Sequence, residues 1–517
     1  MSRLRRAIHG VASSYVQLAA TAFYSLASVP VALHYLDTQR FGLWVVVGTL
    51  MGYLNLIDAG MTGSSLRLLV DHKDERQGGN YGSFIKTSCL VSTLQGGIIL
   101  IIGLALAGTF ARLLAISQPL QPEFIRLVNW QCGVVALTFT TRILGQLLYA
   151  HQRMDLNNYI GVGGLMINFA AQWVFFHFNF GVLSLALGSL FSTVLVMVFQ
   201  TGACAALNLF PRTGGWGRVS GRHFVEIFNL GKDLLLISVG SQLITTSQVI
   251  IITRMLGPAE AAVWGIGLRV FNLLNQVIWR IADMSWAGFA EMLARGELAR
   301  LRDRYRSLTI LSISFAGWAA VSFALCNSLF VSLWTHGKIQ WPVANDSLLA
   351  LWMIVSAAIH CHTGMVITTK QIGFMRYVYL LEGAIFAGLS FLAIRWGGLA
   401  AIIGCSVLCD FLLTGNYGIW RISRFLGLSF REVALDWLRP MFKVLLVYLP
   451  VAALTWWLLA PASSLMRLFL HALLAGSIGL YLLLRFGIPV SFQNEILGRV
   501  PAKTVPFLKR LFHQPVG

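Results

Sequence analysis

"FGLWVVVGTLMGYLNLIDAGMTGSSLRLL", residues 41–69, has the length and apolar composition of a membrane-crossing helix, yet it carries Asp58 and Arg67. An ionised side chain in the bilayer centre costs about 2.5–3.5 kcal/mol on insertion scales unless it meets water or a partner. The rest of the chain has the same character. Of 517 residues, 57% are hydrophobic and only 11% charged, with a mean hydropathy of +0.72. A soluble domain would carry about 25% charged residues. The composition rules out a soluble globular enzyme or binding module and specifies an all-α polytopic membrane protein.

Fourteen segments approach the roughly 20 apolar residues that one crossing needs. They lie near 12–34, 42–66, 84–108, 126–150, 156–178, 182–207, 231–255, 261–285, 308–334, 346–369, 374–395, 398–420, 442–461 and 466–487. The 39 Lys and Arg against 20 acids would suggest nucleic acid in a soluble chain. Here they gather on alternate loops, including 3–6, 73–86, 212–222, 295–306 and 421–439, as the positive-inside rule requires of cytoplasmic segments. Both termini are therefore expected in the cytoplasm, and no nucleic-acid partner is implied. The opposite loops are short and leave no room for an external catalytic domain. The apolar run 11–33 after "MSRLRR" is too long for a signal peptide and reads as a retained first span.

The basic stretch "FPRTGGWGRVSGRHF" (210–224) divides the chain. Downstream of it, residues 254–277 echo residues 34–57 at an offset of 220, pairing Leu36 with Leu256, Trp44 with Trp264, Leu54 with Leu274 and Asn55 with Asn275. Six spans in each half would give both halves the same orientation, a parallel repeat suited to alternating access. The expected organisation is a six-helix bundle over 1–208, a cytoplasmic basic linker over 209–230 and a second bundle over 231–425. Two additional helices and a basic interfacial tail complete it over 426–517.

Polar residues inside spans mark the candidate site. On a continuous span 8 entered at Ala261, Arg269 lies about 12 Å deep, and Arg280, 11 residues on, returns to within about 20° of the same face. Asn272, Gln276 and Asp283 fall within about 60° of it, completing a polar stripe. On span 2, Asn55, Asp58, Thr62 and Ser65 share a face, with Arg67 near the inner end. Asp58 and Arg67, nine residues apart, are on opposite faces and cannot pair. Arg142 is a third deep cation, in span 4. Each arginine could lock to an acid or snorkel to headgroups. As a set they point to a wet, positively charged cavity for an anionic substrate, because guanidinium forks match phosphate geometry. Asp233, Glu382 and Asp410 are mid-membrane carboxylates of the kind that bind a coupling proton or sodium ion.

Other signals are structural or absent. The seven cysteines lie in apolar segments without zinc-site spacing, and "HCH" at 360–362 places adjacent side chains about 100° apart on a helix, so no metal site is expected. "EMLARGELARLRDRY" (291–305) and the tail read as amphipathic segments on the membrane surface. No Walker A, HExxH or Ser/His/Asp signature supports ATP-driven transport or hydrolysis. The chain is expected to be no enzyme and to hold no cofactor beyond a coupling ion.

"VALHYLDTQRFGLWVVVGTLMGYLNLIDAGMTGSSLRLL" (31–69) resembles the N-terminal signature of the polysaccharide (O-antigen type) flippases. These belong to the multidrug/oligosaccharidyl-lipid/polysaccharide (MOP) exporter superfamily. The shared features are Tyr35-Leu36, Phe41-Gly42-Leu43-Trp44, and Asp58-x-Gly60 followed by Arg67. The resemblance implies an undecaprenyl-diphosphate-linked oligosaccharide moved from inner to outer leaflet of a bacterial cytoplasmic membrane. It places Asp58 and Arg67 on the motif's acidic and basic positions and makes Arg269 and Arg280 cavity-lining. Glycan polymerase machinery would be a partner, besides the lipid bilayer, and a monomer is expected. Lipid II flippases of the superfamily carry arginines in span 1, and "SSYVQLAATAFYSLASVP" (13–30) has none. The alternatives are a cation-coupled multidrug or lipid II exporter and, more remotely, a membrane glycan polymerase or ligase.

Overall fold

A computed structural model describes residues 3–73, 79–212, 214–500 and 504–512, with backbone alone at 3–8, 10–11, 230–234, 496, 499, 507 and 510. Every regular element among the described residues is helical and none is a strand. Hydrocarbon offers no water to an open backbone, so a chain this apolar must satisfy its amides within helices. The all-α polytopic class expected from composition is the one observed.

Among the described residues, twelve helices are long and apolar enough to cross a membrane, thirteen if the broken segment Pro258–Ala294 counts as one. Two of the fourteen expected segments, 374–395 and 398–420, fall in a single run of 52 residues, Met375–Leu426. Unbroken, such a run would reach about 78 Å, far beyond a ~30 Å core. Its backbone leaves helical geometry at Gly398, with φ 52° and ψ −137°.

The chain divides into two compact units, Met1–Gly265 and Ile266–Gly517. The first contains α1 (Arg3–Tyr35), α2 (Thr38–Leu54), α3 (Met61–His72), α4 (Asn80–Leu113), α5 (Gln121–Ala150), α6 (Met154–His177) and α7 (Leu183–Ala206). It continues with α8 (Gly221–Thr245), α9 (Ser247–Leu256) and most of α10 (Pro258–Gly267). Within it α4 packs along α5, α6 along α7 and α1 along α6. Leu69, Tyr81, Phe84, Leu147 and Leu148 are buried together where α3, α4 and α5 meet. The Gly of "FGLW" has a packing reason: a Cβ on Gly42 would overlap the carbonyl of Pro258. α2 can approach α10 this closely only without a side chain there.

The second unit contains α11 (Arg269–Asp283), α12 (Trp286–Ala294), α13 (Leu298–Trp334), α14 (Val343–Thr368), α15 (Met375–Asp410) and α16 (Asn416–Leu426). A short α17 (Phe430–Ala434) leads to α18 (Arg439–Leu458) and α19 (Ser464–Leu474). α13 is its hub and is largely buried along its length. α14, α18 and α19 all pack on it, Val321 and Leu325 meeting Val444, Tyr448 and Leu482.

Residues 291–305 are not a single surface helix: α12 ends at Ala294, Gly296 turns with φ 73°, and 298–305 opens α13. Leu301 and Tyr305 are fully buried, and Tyr305 hydrogen-bonds His362 Nδ1 at 2.7 Å. Leu301 and Tyr305 thus pack against protein, while Leu298 is exposed.

Candidate functional site

The stretch 41–69 is not one helix. α2 ends at Leu54, a 3₁₀ turn covers Asn55–Asp58, and Ala59 and Gly60 take left-handed φ values of 48° and 73° before α3 begins. Such a break frees backbone groups that must find partners. Gln95 on α4 donates to Ile57 O at 2.9 Å and Asp58 O at 3.3 Å, and Gln146 on α5 donates to Thr62 O at 3.1 Å.

Asp58 is the hinge of this arrangement. Its carboxylate accepts from the Thr62 backbone N–H at 3.3 Å and from the Thr62 hydroxyl. Arg142 Nη1 reaches across from α5 to Asp58 Oδ1 at 2.8 Å and Thr62 Oγ1 at 2.6 Å. The guanidinium also lies 3.8 Å from the centroid of the Phe139 ring. Asp58 and Arg142 are thus each other's partners, 24% and 20% being the exposures of the Arg142 and Asp58 side chains. The single polar face expected for Asn55, Asp58, Thr62 and Ser65 does not survive the break: Asn55 is exposed and Ser65 buried. Arg67 is exposed on α3.

Span 8 is interrupted too, at Leu268, so Arg269 opens α11 instead of lying within one continuous helix. The 12 Å depth drawn from a straight 1.5 Å rise does not carry across that interruption. The stripe itself persists on α11. Asn272, Gln276 and Asp283 are exposed, Arg269 and Arg280 half-buried, and Phe271, Asn275, Ile278 and Ala282 face the protein. Asp283 is engaged by His360 at 2.8 Å and by Trp286 Nε1 at 3.2 Å. His360 and His362 thus point to different partners, and Cys361 is buried. Shifted by the repeat offset, the break at Ala59–Gly60 would fall at 279–280, inside regular α11. The related spans are interrupted at different places.

Two of the three acids converge. Glu382 and Asp410 are buried as neighbours. Asp410 Oδ2 accepts from Trp352 Nε1 at 2.6 Å, and Glu382 Oε2 accepts from the Thr414 N–H at 3.0 Å. That N–H is free for a side chain because the helix widens into a π turn at Phe411–Gly415, directly after Asp410. The Asp233 side chain lies outside the described residues, although its backbone belongs to α8.

Sequence reasoning missed Thr62, Gln95 and Gln146 as partners of the break, and Trp352 and Thr414 as partners of the acids. The only local signal was Asp-x-Gly at 58–60, a turn element inside an apolar run. A concavity of about 510 Å³ at the start of α5, lined by Gln121, Ile125, Arg126 and Asn129, contains none of the anticipated site residues.

No protein-family model matches the chain, and no curated protein matches it by sequence. Solved structures do. An inward-facing multidrug resistance MATE family transporter of the MOP superfamily aligns with TM-score 0.70 over 79% of this chain and 96% of its own, at 13% identity. The lipid II flippase MurJ, inward closed, aligns with TM-score 0.62 over 91% and 98%, at 12% identity. A point mutant of the Vibrio cholerae MATE transporter VcmN gives 0.57 over 82% and 97%, at 14% identity. Identities this low speak to architecture alone, and on that evidence the chain has the fold of the MOP-superfamily transporters.

Proposed function

We propose that the chain flips an undecaprenyl-diphosphate-linked oligosaccharide from the inner to the outer leaflet of a bacterial cytoplasmic membrane, for polysaccharide export by alternating access. The observation that carries this reading is α11: a membrane-segment helix with an exposed polar face flanked by Arg269 and Arg280. A diphosphate cannot enter a low-dielectric slab uncompensated. Arg269 and Arg280, with Asn272 and Gln276, supply forked cations and amides for it; in the first unit Arg67 on α3 and Asn55 in the preceding 3₁₀ turn are exposed as further polar contacts. Asp58 and Arg142 hold the broken span rather than the substrate. Glu382 and Asp410 supply an exchangeable proton for coupling. The resemblance of residues 31–69 to O-antigen type flippases selects a glycan carrier lipid.

The second reading is export of a drug or of lipid II, favoured by the fold shared with a MATE transporter and with MurJ. The absence of arginine in residues 13–30 weighs against lipid II. Vesicles containing the purified protein and a fluorescent polyprenyl-diphosphate oligosaccharide separate the two. Arg269→Ala should reduce flipping to background, and Arg269→Lys should retain part of it, because a point charge replaces the fork. Unchanged flipping by Arg269→Ala, or drug efflux without glycan-lipid flipping, would refute the first reading.

A further inference from the structure

His72, His223 and Glu226 lie outside every feature described so far. His72 is in the last turn of α3, and His223 and Glu226 are three residues apart in the first turns of α8, on one face. One ligand atom from each falls within 4.8 Å of the others. We propose that these three side chains bind a borderline transition-metal dication, zinc in the first instance, and that the ion clamps α3 to α8.

The hydrogen bonding around the cluster favours a cation over a plain polar contact. Asn80 at the start of α4 bridges the two rings, its Oδ1 lying 3.0 Å from His223 Nε2 and its Nδ2 3.4 Å from His72 Nδ1. With Nε2–H donating to Asn80, neutral His223 turns the lone pair of Nδ1 toward the Glu226 carboxylate. That nitrogen and Glu226 Oε2 are 3.4 Å apart. The separation is long for an N–H···O bond. It equals the edge of a tetrahedron with ~2.05 Å metal–ligand bonds, about 3.3–3.4 Å. A lone pair facing a carboxylate is repulsive unless a cation sits between them.

His72 Nδ1, approached by an amide N–H, likewise carries the lone pair that a metal would take over. The two rings are 5.8 Å apart and inclined by 62°, so they are not stacked and can each turn one nitrogen to a common point. Asn80 Oδ1 then serves as the outer partner that fixes the tautomer of His223, while its amide N–H gives up His72 Nδ1 to the ion.

Charge supports the same assignment. Glu226 brings the anionic ligand to the set. Arg222 Nε takes Oε1 at 3.1 Å, which leaves Oε2 for the cluster, and Arg222 itself is 86% exposed and shielded by solvent. His223 is buried, while His72 and Glu226 are only partly so, giving the ion a route in and a water for the fourth position. α3 and α8 already pack together. The ion would resist their separation, and α3 begins at the Ala59–Gly60 break, so metal would bias how that segment moves.

Isothermal titration of the full-length protein in detergent, stripped with chelator and titrated with Zn²⁺, tests the site. The expected result is one saturable site, weakened at least tenfold in Glu226→Gln and abolished in His72→Gln/His223→Gln. His177→Gln, remote from the cluster, should bind as the wild type does. Melting curves with and without Zn²⁺ should show a metal-dependent rise in the wild type only. Failure of the double variant to fold leaves Glu226→Gln, which preserves shape and decides alone. Absence of a site in the wild type, or binding unaltered by Glu226→Gln, overturns the proposal.

Discussion

Each unit buries acids at a place where a helix departs from regularity, and the two solve the resulting charge problem in opposite ways. In the first unit, Asp58 at the Ala59–Gly60 break is neutralised by Arg142 and shared with Thr62. In the second, Glu382 and Asp410 are buried as neighbours beside the π turn, held by the neutral donors Trp352 Nε1 and the Thr414 N–H. An opposite-charge pair is complete as it stands and fixes geometry. Two neighbouring buried acids have no such counter-charge, which is why the proposed coupling is placed on them. The first suits a mechanical joint and the second a coupling site, although both read in sequence as isolated acids in spans.

Arg142→Ala is the sharpest way to break the comparison. It leaves Asp58 without its cation beside a helix break, and the expected loss is about 2–4 kcal/mol, allowing for partial exposure of the pair. Chemical denaturation of the purified protein in detergent measures it. A loss below about 1 kcal/mol would mean that the break holds without the ion pair. Adding Asp58→Asn should recover part of the loss, since the stranded charge is then gone.

Gly60→Ala should cost about 1 kcal/mol, because Gly60 holds a φ of 73° that alanine adopts only under strain. The same denaturation curves read it. A neutral result would show that the joint tolerates another backbone path.

Glu382→Gln should be the mildest in stability, within about 1 kcal/mol, since an amide can still donate to Asp410 and accept from Thr414. Its functional signature is different: transport into vesicles should no longer respond to an imposed proton gradient. In infrared spectra of the wild type, the carbonyl band of a protonated carboxylic acid should be present, and it should vanish in Glu382→Gln. Persistence of the band in that variant would place the proton elsewhere.

What the sequence determined by itself was the solvent and the class. An apolar chain of this length, with few charges and regularly spaced runs of about 20 residues, has only helices available in a bilayer. That conclusion depends on composition, which no tertiary detail can alter. The polar face of α11 was legible for the same reason, since residues three and four apart on a helix share a side whatever surrounds them.

Tertiary structure alone decided the rest. Arg142 and Asp58 are 84 residues apart, Glu382 and Thr414 32 apart, and no local periodicity links them. Nor could a helical wheel reveal that span 2 breaks at Ala59–Gly60 and span 8 at Leu268. A wheel presumes the continuity that Gln95 and Gln146 make it safe to abandon, by supplying from neighbouring helices the hydrogen bonds that the broken backbone loses.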